Sequence, residues 1–188
     1  MSQIFNPDIV LETDRLILRF IDKNDYEGLY HNIFSSESVL KYFLARKYDD
    51  IDECKKYIEK LANFQKQNEV YCFSIVLKQS NEVIGMLLQC STPDIYHNNT
   101  ELGYAIGEKY WNQGYTSEAL KKTIDYMFEI GIDKVYCSHI KENVVSGKVM
   151  RKCGMIYEGE KIRDLYYHDK YWDTDEYYIL NEKIFKKM

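Results

Sequence analysis

The sequence has few residues that break regular structure and no long apolar run. Proline occurs only twice in 188 residues, which argues against extended disordered linkers. No window approaches the roughly 20 consecutive apolar residues of a membrane span. The first residues carry acids and lack the apolar segment of a signal peptide. We therefore expect a cytoplasmic protein without a membrane partner.

Residue types that bind metals are present, but they form no metal-binding motif. The four histidines are scattered, with no HxxxH or HExxH spacing. The five cysteines include no CxxC pair, and their number is odd. This usage is typical of reduced, mostly buried thiols in a cytoplasmic protein. We therefore predict no metal cofactor.

Length and charge limit the class of protein further. A chain of 188 residues fits one domain, residues 1–188, and its 45% apolar content is that of a globular protein. The net charge of −5 and the isoelectric point near 5.5 argue against a direct nucleic-acid partner, because general nucleic-acid binders are usually basic. A homodimer is compatible with the sequence.

The stretch from Glu101 to Ile130 organises the rest of the chain. Leu102, Tyr104 and Ile106 alternate with glutamate, alanine and glycine, and this period of two predicts a strand. The other face of that strand carries glycines and an alanine, so another backbone or an extended ligand could approach it closely. A helix follows after Gly114.

The predicted helix has one apolar stripe and a recognisable end. Gly131 follows the last apolar residue, where a left-handed helix end is expected. The stripe recurs at helical spacing and comprises Ala119, Leu120, Thr123, Ile124, Met127 and Phe128.

The turn between strand and helix is the candidate anion-binding site. A helix N-terminus presents unpaired N–H groups and the positive end of the helix dipole, and both favour an anion. Gly114 lets the backbone approach a phosphate, and Thr116 or Ser117 can cap the helix. The alternative is a turn with no ligand.

The order of elements predicts an α+β, or mixed α/β, domain with one twisted sheet. Gly85 marks a bulge in its strand, and Val145, Val149 and Cys153 are in register on one helix face. The remaining expected strands are Arg15–Phe20, Val70–Leu77, Glu82–Cys90, Lys134–Ile140, Met155–Arg163 and Asp173–Leu180, and the last two flank a loop at Asp164–Trp172. The remaining expected helices are Tyr26–Phe34, one that Asp50 or Asp52 caps and that ends at Phe64, and Asn143–Cys153.

Two segments carry a resemblance to the GNAT acetyltransferases. The turn resembles that family's acyl-CoA-binding turn, R/Q-x-x-G-x-G/A, in the form W-G-x-G-x-A-x-E-A, and reads WNQGYTSEAL here. That form is similar to the branch containing the ribosomal-protein N-terminal acetyltransferases (the Rim type) and many small-molecule acetyltransferases. Trp111 stands at the Arg/Gln position, Asn112 replaces the first glycine, and Thr116 replaces the small last residue.

The second segment resembles the family's N-x-x-S-x-x-x-x-x-K-x-G-F element and reads NVVSGKVMRKCGM. Met155 stands for the usual phenylalanine. The similarity extends from Arg15 to Leu180 in the same element order. It implies a GNAT-like acyl-CoA N-acyltransferase fold, with one mostly antiparallel sheet flanked by helices.

The resemblance implies acetyl-CoA as co-substrate and suggests how the chain binds it. The backbone of Tyr104 and Ile106 would pair with the pantetheine amides like an added strand. Asn143 and Ser146 would reach the cofactor from the next helix, and Lys109, Lys121 or Lys122 would contact the 3′-phosphate unless they are only solvated. The pyrophosphate would rest on the backbone amides of Gln113, Gly114, Tyr115, Thr116 and Ser117.

The resemblance also implies direct attack of an amine on the thioester, which needs a base, an oxyanion donor and an acid. An N–H near Ile106 is the candidate donor. Many family members have an acidic tyrosine where Met150 stands, so Ser146 is the candidate acid, unless it only binds the cofactor or the backbone. Glu101 is the candidate base; a solvated edge carboxylate and a water relay are the alternatives.

The acceptor is expected to be a primary amine, either a protein N-terminus or a small molecule. An α-amine with a pKa of about 8 is roughly a tenth neutral at pH 7, whereas a lysine amine near 10.4 is neutral in less than about 0.1% of molecules. A weak base therefore favours an N-terminal amine. The alternatives are a polyamine, aminoglycoside-like or amino-acid-analogue acetyltransferase, and a non-catalytic acyl-CoA-binding protein.

The acceptor would enter opposite the cofactor. Candidate entry residues are Phe34, Tyr42, Tyr166, Tyr167 and His168, and candidate cation-attracting residues are Asp173, Asp175 and Glu176.

Overall fold

The computed structural model describes residues 5–67, 69–93 and 97–182. Within these ranges the strands are β1 (Val10–Glu12), β2 (Leu16–Phe20), β3 (Cys72–Leu77), β4 (Val83–Gln89), β5 (Asn99–Ile106), β6 (Lys134–Ile140), β7 (Ile156–Tyr167) and β8 (Lys170–Leu180). The α-helices are α1 (Tyr26–Leu29), α2 (Glu37–Leu40), α3 (Ile51–Gln67), α4 (Tyr115–Glu129) and α5 (Val144–Lys152). A π-helical turn, Tyr30–Phe34, continues α1.

The strands follow the order β1-β2-β3-β4-β5-β6-β8-β7 in one open sheet. Neighbours pair antiparallel from β1 to β4 and again from β6 through β8 to β7. β5 and β6 are parallel, and their ladder joins Asn99–Glu101 to Lys134–Tyr136. A mostly antiparallel sheet with helices confirms the predicted fold class.

The internal contacts divide the chain into two compact units. The first unit comprises Met1–Gln89 and Tyr104–Thr123, and the second comprises Cys90–Gly103 and Ile124–Met188. Strand β5 and helix α4 each contribute residues to both units. A single domain over residues 1–188 stays a prediction.

The core of the first unit lies between its strands and the amphipathic helix α3. This helix begins after Asp50, whose carboxylate accepts a hydrogen bond from the Asp52 N–H at 2.8 Å, so the expected cap is Asp50. Burial of the apolar residues on the strands and helices drives their packing. The fully buried members include Leu29, Ile33, Phe34, Cys54, Ile58 and Met86.

A buried carboxylate joins β2, β3 and the turn before α1. Asp25 is only 4% exposed and accepts two hydrogen bonds from the Arg19 guanidinium, at 2.7 and 2.8 Å. It also accepts from the Ser74 hydroxyl at 2.6 Å and from the Asp22 N–H at 2.8 Å. These four donors compensate the cost of burying its charge.

The second unit contains β6, β8, β7 and helix α5. The Asn181 side chain donates to the carbonyls of Phe128 and Ile132, at 3.1 and 3.0 Å, and so ties the end of β8 to the end of α4. The buried apolar side chains of this unit include Ile132, Val135, Cys137, Ile140, Met150 and Tyr177.

The predicted loop at Asp164–Trp172 is wrong. β7 continues to Tyr167 and β8 starts at Lys170, and these two residues pair across a two-residue turn. His168 and Asp169 form the turn with φ of +51° and +55°, as a tight hairpin turn requires. The turn contains no glycine, so the sequence lacked the usual hairpin signal.

Two helix predictions also need correction. Residues 26–34 are one α-helical turn followed by a π-helical turn, in which the Ser35 N–H donates to the Tyr30 carbonyl at 2.9 Å. On α5, Val145 is 58% exposed, and the buried face is formed by Gly147 and Met150. A short helix with scattered apolar residues does not specify its buried face.

Two backbone predictions are confirmed. Gly131 has φ of +97° and ends α4 in the left-handed region, as expected; Gly154, with φ of +83°, follows α5 in the same conformation. The register between β3 and β4 shifts beside Gly85, which confirms the bulge. A Cβ at Gly85 would lie 2.5 Å from the Ala105 carbonyl oxygen, so only glycine fits this close approach to β5.

Strand β7 lies at the edge of the sheet and is irregular. Its register with β8 shifts between Tyr157 and Gly159 and again between Lys161 and Leu165. Within the second shift Arg163 has φ of +53°, and its N–H donates to the Asp173 carboxylate at 2.8 Å. The edge is therefore a series of short paired segments.

We expect Asp25→Ala to lower the free energy of unfolding by roughly 3 kcal/mol, because it leaves Arg19 and Ser74 without their shared acceptor. Glu53→Ala is the matched control, since Glu53 is 50% exposed and pairs with an exposed Arg46. Such a surface pair contributes at most about 1 kcal/mol. Urea denaturation of both variants measures the difference, and equal losses would contradict this account of the buried carboxylate.

Candidate active site

The C-terminal half of β5 presents alternate amides to its two edges. The Gly107 N–H donates to the Ile84 carbonyl of β4 at 2.9 Å. Because successive peptide groups of a strand point to opposite edges, the N–H groups of Tyr104 and Ile106 point away from β4. The indole N–H of Trp111 donates to the Ile106 carbonyl at 2.9 Å, so this tryptophan fixes the turn against the strand end.

The turn after β5 contains two residues in the left-handed region. Residues Glu108–Tyr110 form a 3₁₀ turn. Asn112 then has φ of +58° and Gly114 has φ of +82°. Asparagine tolerates this conformation better than most residues with a side chain. This explains how Asn112 can stand where the family form has a glycine.

Helix α4 starts at Tyr115, directly after this turn. The Glu118 N–H donates to the Gly114 carbonyl at 3.0 Å, so Gly114 is the capping position. Thr116 and Ser117 lie in the first turn, and the prediction that either caps the helix is wrong; the Ser117 hydroxyl donates back to the Gly114 carbonyl at 3.1 Å. The backbone N–H groups of Tyr115 to Ser117 precede the first hydrogen bond within the helix, and they lie at the positive end of the helix dipole.

The first helical turn is also tied to the segment between β1 and β2. The Glu118 carboxylate accepts from the Thr13 hydroxyl at 2.6 Å and from the Arg15 guanidinium at 2.6 and 2.7 Å. Burial alone would raise the pKa of Glu118, but the hydrogen bonds from Thr13 and Arg15 hold that pKa below its usual value. No sequence pattern predicts this contact, because the two segments lie far apart in the chain.

The lysines considered for the 3′-phosphate differ in their surroundings. Lys109 pairs with Glu82 at 2.7 Å, and this hydrogen bond raises the pKa of Lys109. Its carbonyl accepts from the Gln113 side chain at 2.8 Å, so Lys109 also supports the turn. Lys121 is exposed and Lys122 is half-buried on α4.

The small-residue face of β5 is occupied by side chains of the protein. A Cβ at Gly107 would lie 2.7 Å from the Asn32 side-chain oxygen, and a Cβ at Gly103 would lie 2.9 Å from the Cys90 sulfur. The expectation that a backbone or an extended ligand approaches these two glycines is therefore wrong. The glycines make room for Asn32 and Cys90.

Glu101, the candidate base, lies where β5 pairs with β6. Its side-chain oxygen accepts from the Ser138 hydroxyl at 2.7 Å, and its N–H donates to the Ser91 hydroxyl at 2.8 Å. Ser138 therefore orients the carboxylate. Burial raises the pKa of the Cys137 thiol most, and the negative charge of Glu101 is the second cause. The thiol therefore stays protonated.

Asn143 and Ser146 lie at the start of α5. Asn143 is the residue before the helix, and the Ser146 N–H donates to its carbonyl at 3.0 Å. The Asn143 side chain makes no capping hydrogen bond, and Ser146 is half-buried. Met150, which stands at the family's tyrosine position, is 1% exposed and packs in the interior.

A buried histidine on β6 was not identified from the sequence. His139 is 8% exposed, and its ring stacks on Tyr177 with 5.7 Å between centroids. Its Nδ1 forms a hydrogen bond with the Ile140 carbonyl at 2.8 Å, and its Nε2 has no hydrogen-bond partner among the described residues. A Cβ at Gly147 would lie 2.7 Å from that Nε2, so α5 approaches β6 closely only because residue 147 is glycine.

The aromatic residues considered for acceptor entry have different environments. Phe34 is fully buried in the core of the first unit, so the prediction that it lines an entry is wrong. Tyr42 is half-buried. In the second unit Tyr166 is 63% exposed, and the rings of Tyr167 and His168 lie 4.0 Å apart.

The acidic run on β8 is paired with donors on β7. Asp173 accepts from the Arg163 N–H at 2.8 Å, and Asp175 accepts from the Tyr157 hydroxyl at 3.3 Å. Glu176 forms an ion pair with Lys161, which raises the pKa of that lysine. These carboxylates already have cross-strand partners, so they form no unpaired acidic patch.

Neither a metal cluster nor a membrane-crossing helix occurs in the described part of the chain. Across residues 5–67, 69–93 and 97–182, no three or more histidine, cysteine, aspartate or glutamate side chains are placed to hold a metal ion. Over the same ranges, no helix has the length and apolarity needed to cross a membrane.

Comparison with known proteins identifies the family. Residues 15–156 match the acetyltransferase (GNAT) domain. The chain is 27% identical over 175 residues to the uncharacterized N-acetyltransferase YoaA of Bacillus subtilis, covering 93% of this chain and 98% of that protein. A GNAT-family acetyltransferase from Bacillus anthracis has a crystal structure that superposes with a TM-score of 0.81 at 26% identity, covering 93% of this chain and 99% of the other.

Two further relatives are named for their acceptors. The ribosomal protein uS5-alanine N-acetyltransferase of Escherichia coli is 25% identical over 159 residues, covering 81% of each chain. Spermidine N(1)-acetyltransferase of Escherichia coli is 24% identical over 155 residues, covering 82% of this chain and 80% of that enzyme. Together with the match over most of the sequence, these similarities establish that the chain belongs to the GNAT acetyltransferase family.

Proposed function

We propose that this acetyl-CoA-dependent N-acetyltransferase acts on the α-amine of a protein or peptide. The main support for cofactor binding is the turn after β5, where Asn112 and Gly114 have left-handed backbone conformations and helix α4 begins. Similarity to an enzyme named for alanine N-acetylation of a ribosomal protein supports the acceptor class. The five cysteines are free thiols, which supports a cytoplasmic location.

The residues of the turn fit the charge and shape of a CoA pyrophosphate. The backbone amides of Gln113–Ser117 lie at the positive end of the α4 dipole, and Gly114 has no Cβ to keep a phosphate away. The N–H groups of Tyr104 and Ile106, which point away from β4, would pair with the pantetheine amides. Asn143 and Ser146 would contact the cofactor from the start of α5.

Acetyl-CoA supplies the thioester that the amine attacks and the thiol that departs. Glu101 accepts, through a water relay, the proton that the amine nitrogen loses as its bond to the carbonyl carbon forms. A backbone N–H of β5 near Ile106 donates to the carbonyl oxygen as negative charge develops on it. Ser146 donates a proton to the sulfur as the carbon–sulfur bond breaks; Glu101 then releases its proton to solvent and Ser146 takes one up, which restores the enzyme. Met150 cannot take this role, because its thioether has no proton to give.

An α-amine suits this set of groups better than an ordinary lysine or a polyamine does. Roughly a tenth of α-amines are neutral at pH 7, so a single carboxylate base is sufficient. A polyamine would instead be attracted by unpaired carboxylates, and Asp173, Asp175 and Glu176 each have a partner on β7. The similarity to spermidine N(1)-acetyltransferase nevertheless makes spermidine the second acceptor to test.

The acceptor is tested by CoA release and mass spectrometry with three amines. These are a peptide with a free N-terminal alanine and an internal lysine, the same peptide with a blocked N-terminus, and spermidine. We expect acetylation of the free α-amine alone. Turnover of spermidine alone would replace the proposal with a polyamine acetyltransferase. CoA binding without turnover of any amine would favour a non-catalytic acyl-CoA-binding protein.

We expect Gly114→Asp to abolish measurable acetyl-CoA binding, because its carboxylate would stand against the pyrophosphate. Gly131→Asp is the matched control: Gly131 is also left-handed and lies beyond the other end of the same helix, where a Cβ would meet no described atom within 4 Å. Calorimetric titration with acetyl-CoA compares the two variants. Wild-type affinity in Gly114→Asp would show that the turn does not bind the cofactor.

We expect Glu101→Gln to lower kcat about 100-fold or more while leaving acetyl-CoA affinity unchanged, because glutamine cannot accept the amine proton. Glu158→Gln is the control, since this carboxylate pairs with Lys134 at 2.6 Å in the same unit. Rates measured from pH 6 to 9 with a peptide acceptor should recover in Glu101→Gln as the free amine deprotonates. An unaltered pH–rate profile would show that Glu101 is not the base.

A further inference from the structure

We propose that Arg15 is a positioning residue for acetyl-CoA: it holds the end of the turn after β5 and the first turn of α4, residues 113–118, in their binding conformation. Arg15 precedes β2 and lies far from this segment in sequence, yet its guanidinium contacts Gln113, Tyr115 and Glu118. The inference rests on the proposed role of this turn in binding the pyrophosphate, and the experiments below separate the two.

The first contact fixes the direction of a peptide group. The Arg15 guanidinium donates to the Gln113 carbonyl at 3.1 Å. In a trans peptide the carbonyl and the following N–H point in opposite directions. The direction of the Gly114 N–H is therefore set by Arg15. Glycine restricts its own backbone very little, so Gly114 by itself leaves this orientation undefined.

The second contact holds the first turn of α4. The Glu118 carboxylate accepts from Arg15 Nε at 2.7 Å, from the second guanidinium nitrogen at 2.6 Å and from the Arg15 backbone N–H at 3.1 Å. Thr13 adds a fourth donor at 2.6 Å. This set of hydrogen bonds anchors the helix start and neutralises the negative charge of Glu118.

The third contact covers the first residue of α4. The guanidinium carbon of Arg15 lies 4.2 Å from the centroid of the Tyr115 ring, which is a cation–π arrangement. A planar guanidinium can stack on this ring while donating to a carbonyl and a carboxylate. The ammonium group of lysine has no planar surface for the stack. One side chain therefore restrains Gln113, Tyr115 and Glu118 together.

These contacts are expected to affect cofactor binding more than folding. The Arg15 side chain is 44% exposed, and ion pairs at exposed sites contribute little to stability. A preorganised binding loop, in contrast, has less conformational entropy to lose when its ligand binds. Removal of Arg15 should therefore appear mainly as weaker affinity for CoA.

The test is calorimetric titration of the full chain with CoA. We expect Arg15→Gln to weaken CoA binding about tenfold, with a melting temperature within about 3 °C of the wild type. Arg46→Gln is the matched control, because Arg46 forms an ion pair with Glu53 at 2.9 Å elsewhere in the first unit. It should bind CoA like the wild type. Wild-type affinity in Arg15→Gln would overturn the inference.

Two additional variants separate positioning from charge. Arg15→Lys keeps the charge but not the planar fork, so it should also bind CoA more weakly; it replaces Arg15→Gln if that variant does not fold. The double variant Arg15→Gln/Glu118→Gln removes both charges, and positioning predicts that it stays weak. Wild-type affinity in Arg15→Lys, or full recovery in the double variant, would show that Arg15 acts only through charge.

The outcomes also distinguish this inference from the proposed function. If wild-type protein does not bind CoA, or if Gly114→Asp binds it normally, the assignment of the turn fails and the inference fails with it. If Gly114→Asp loses binding while Arg15→Gln keeps it, the turn is the site and only the role of Arg15 is wrong.

Discussion

The parallel orientation of β5 and β6 determines the position of the proposed binding site. Their ladder is only a few residues long, from Asn99–Glu101 to Lys134–Tyr136. Parallel neighbours require a crossover of a dozen or more residues, and α4 is that crossover. Its N-terminus must therefore follow the C-terminal end of β5. Open α/β sheets commonly bind ligands at such strand ends. The assigned turn is thus a consequence of the strand orientation.

The chemical groups of the site depend on side chains contributed by distant segments. Gly114 permits the backbone to approach a phosphate, whereas Arg15 limits the conformations that this freedom allows. Ser138 of β6 orients the carboxylate of Glu101 in a similar way. In both cases the residue proposed to act and the residue that restrains it lie on different strands or turns. Activity should therefore be sensitive to substitutions that leave every reacting group in place.

Much of the fold could be predicted because its signals are local. The bounds of β6, Lys134–Ile140, and the left-handed Gly131 followed from short patterns. The hairpin turn at His168 and Asp169 was missed, because it forms without glycine. For the proposed site, the motif predicts the turn, but Arg15 and Glu118 are 103 residues apart, and no local pattern indicates their contact. Partners of this kind depend on strand register.

The irregular edge strand β7 has a consequence for behaviour at high protein concentration. A long regular edge would offer a continuous row of backbone donors and acceptors to a second chain, which is a common route to aggregation. The register shifts between Tyr157 and Gly159, and between Lys161 and Leu165, interrupt that row. Bulged segments also increase local twist and turn the edge away from flat stacking. The register shifts in β7 thus limit how far a second molecule can extend the sheet by pairing with this edge.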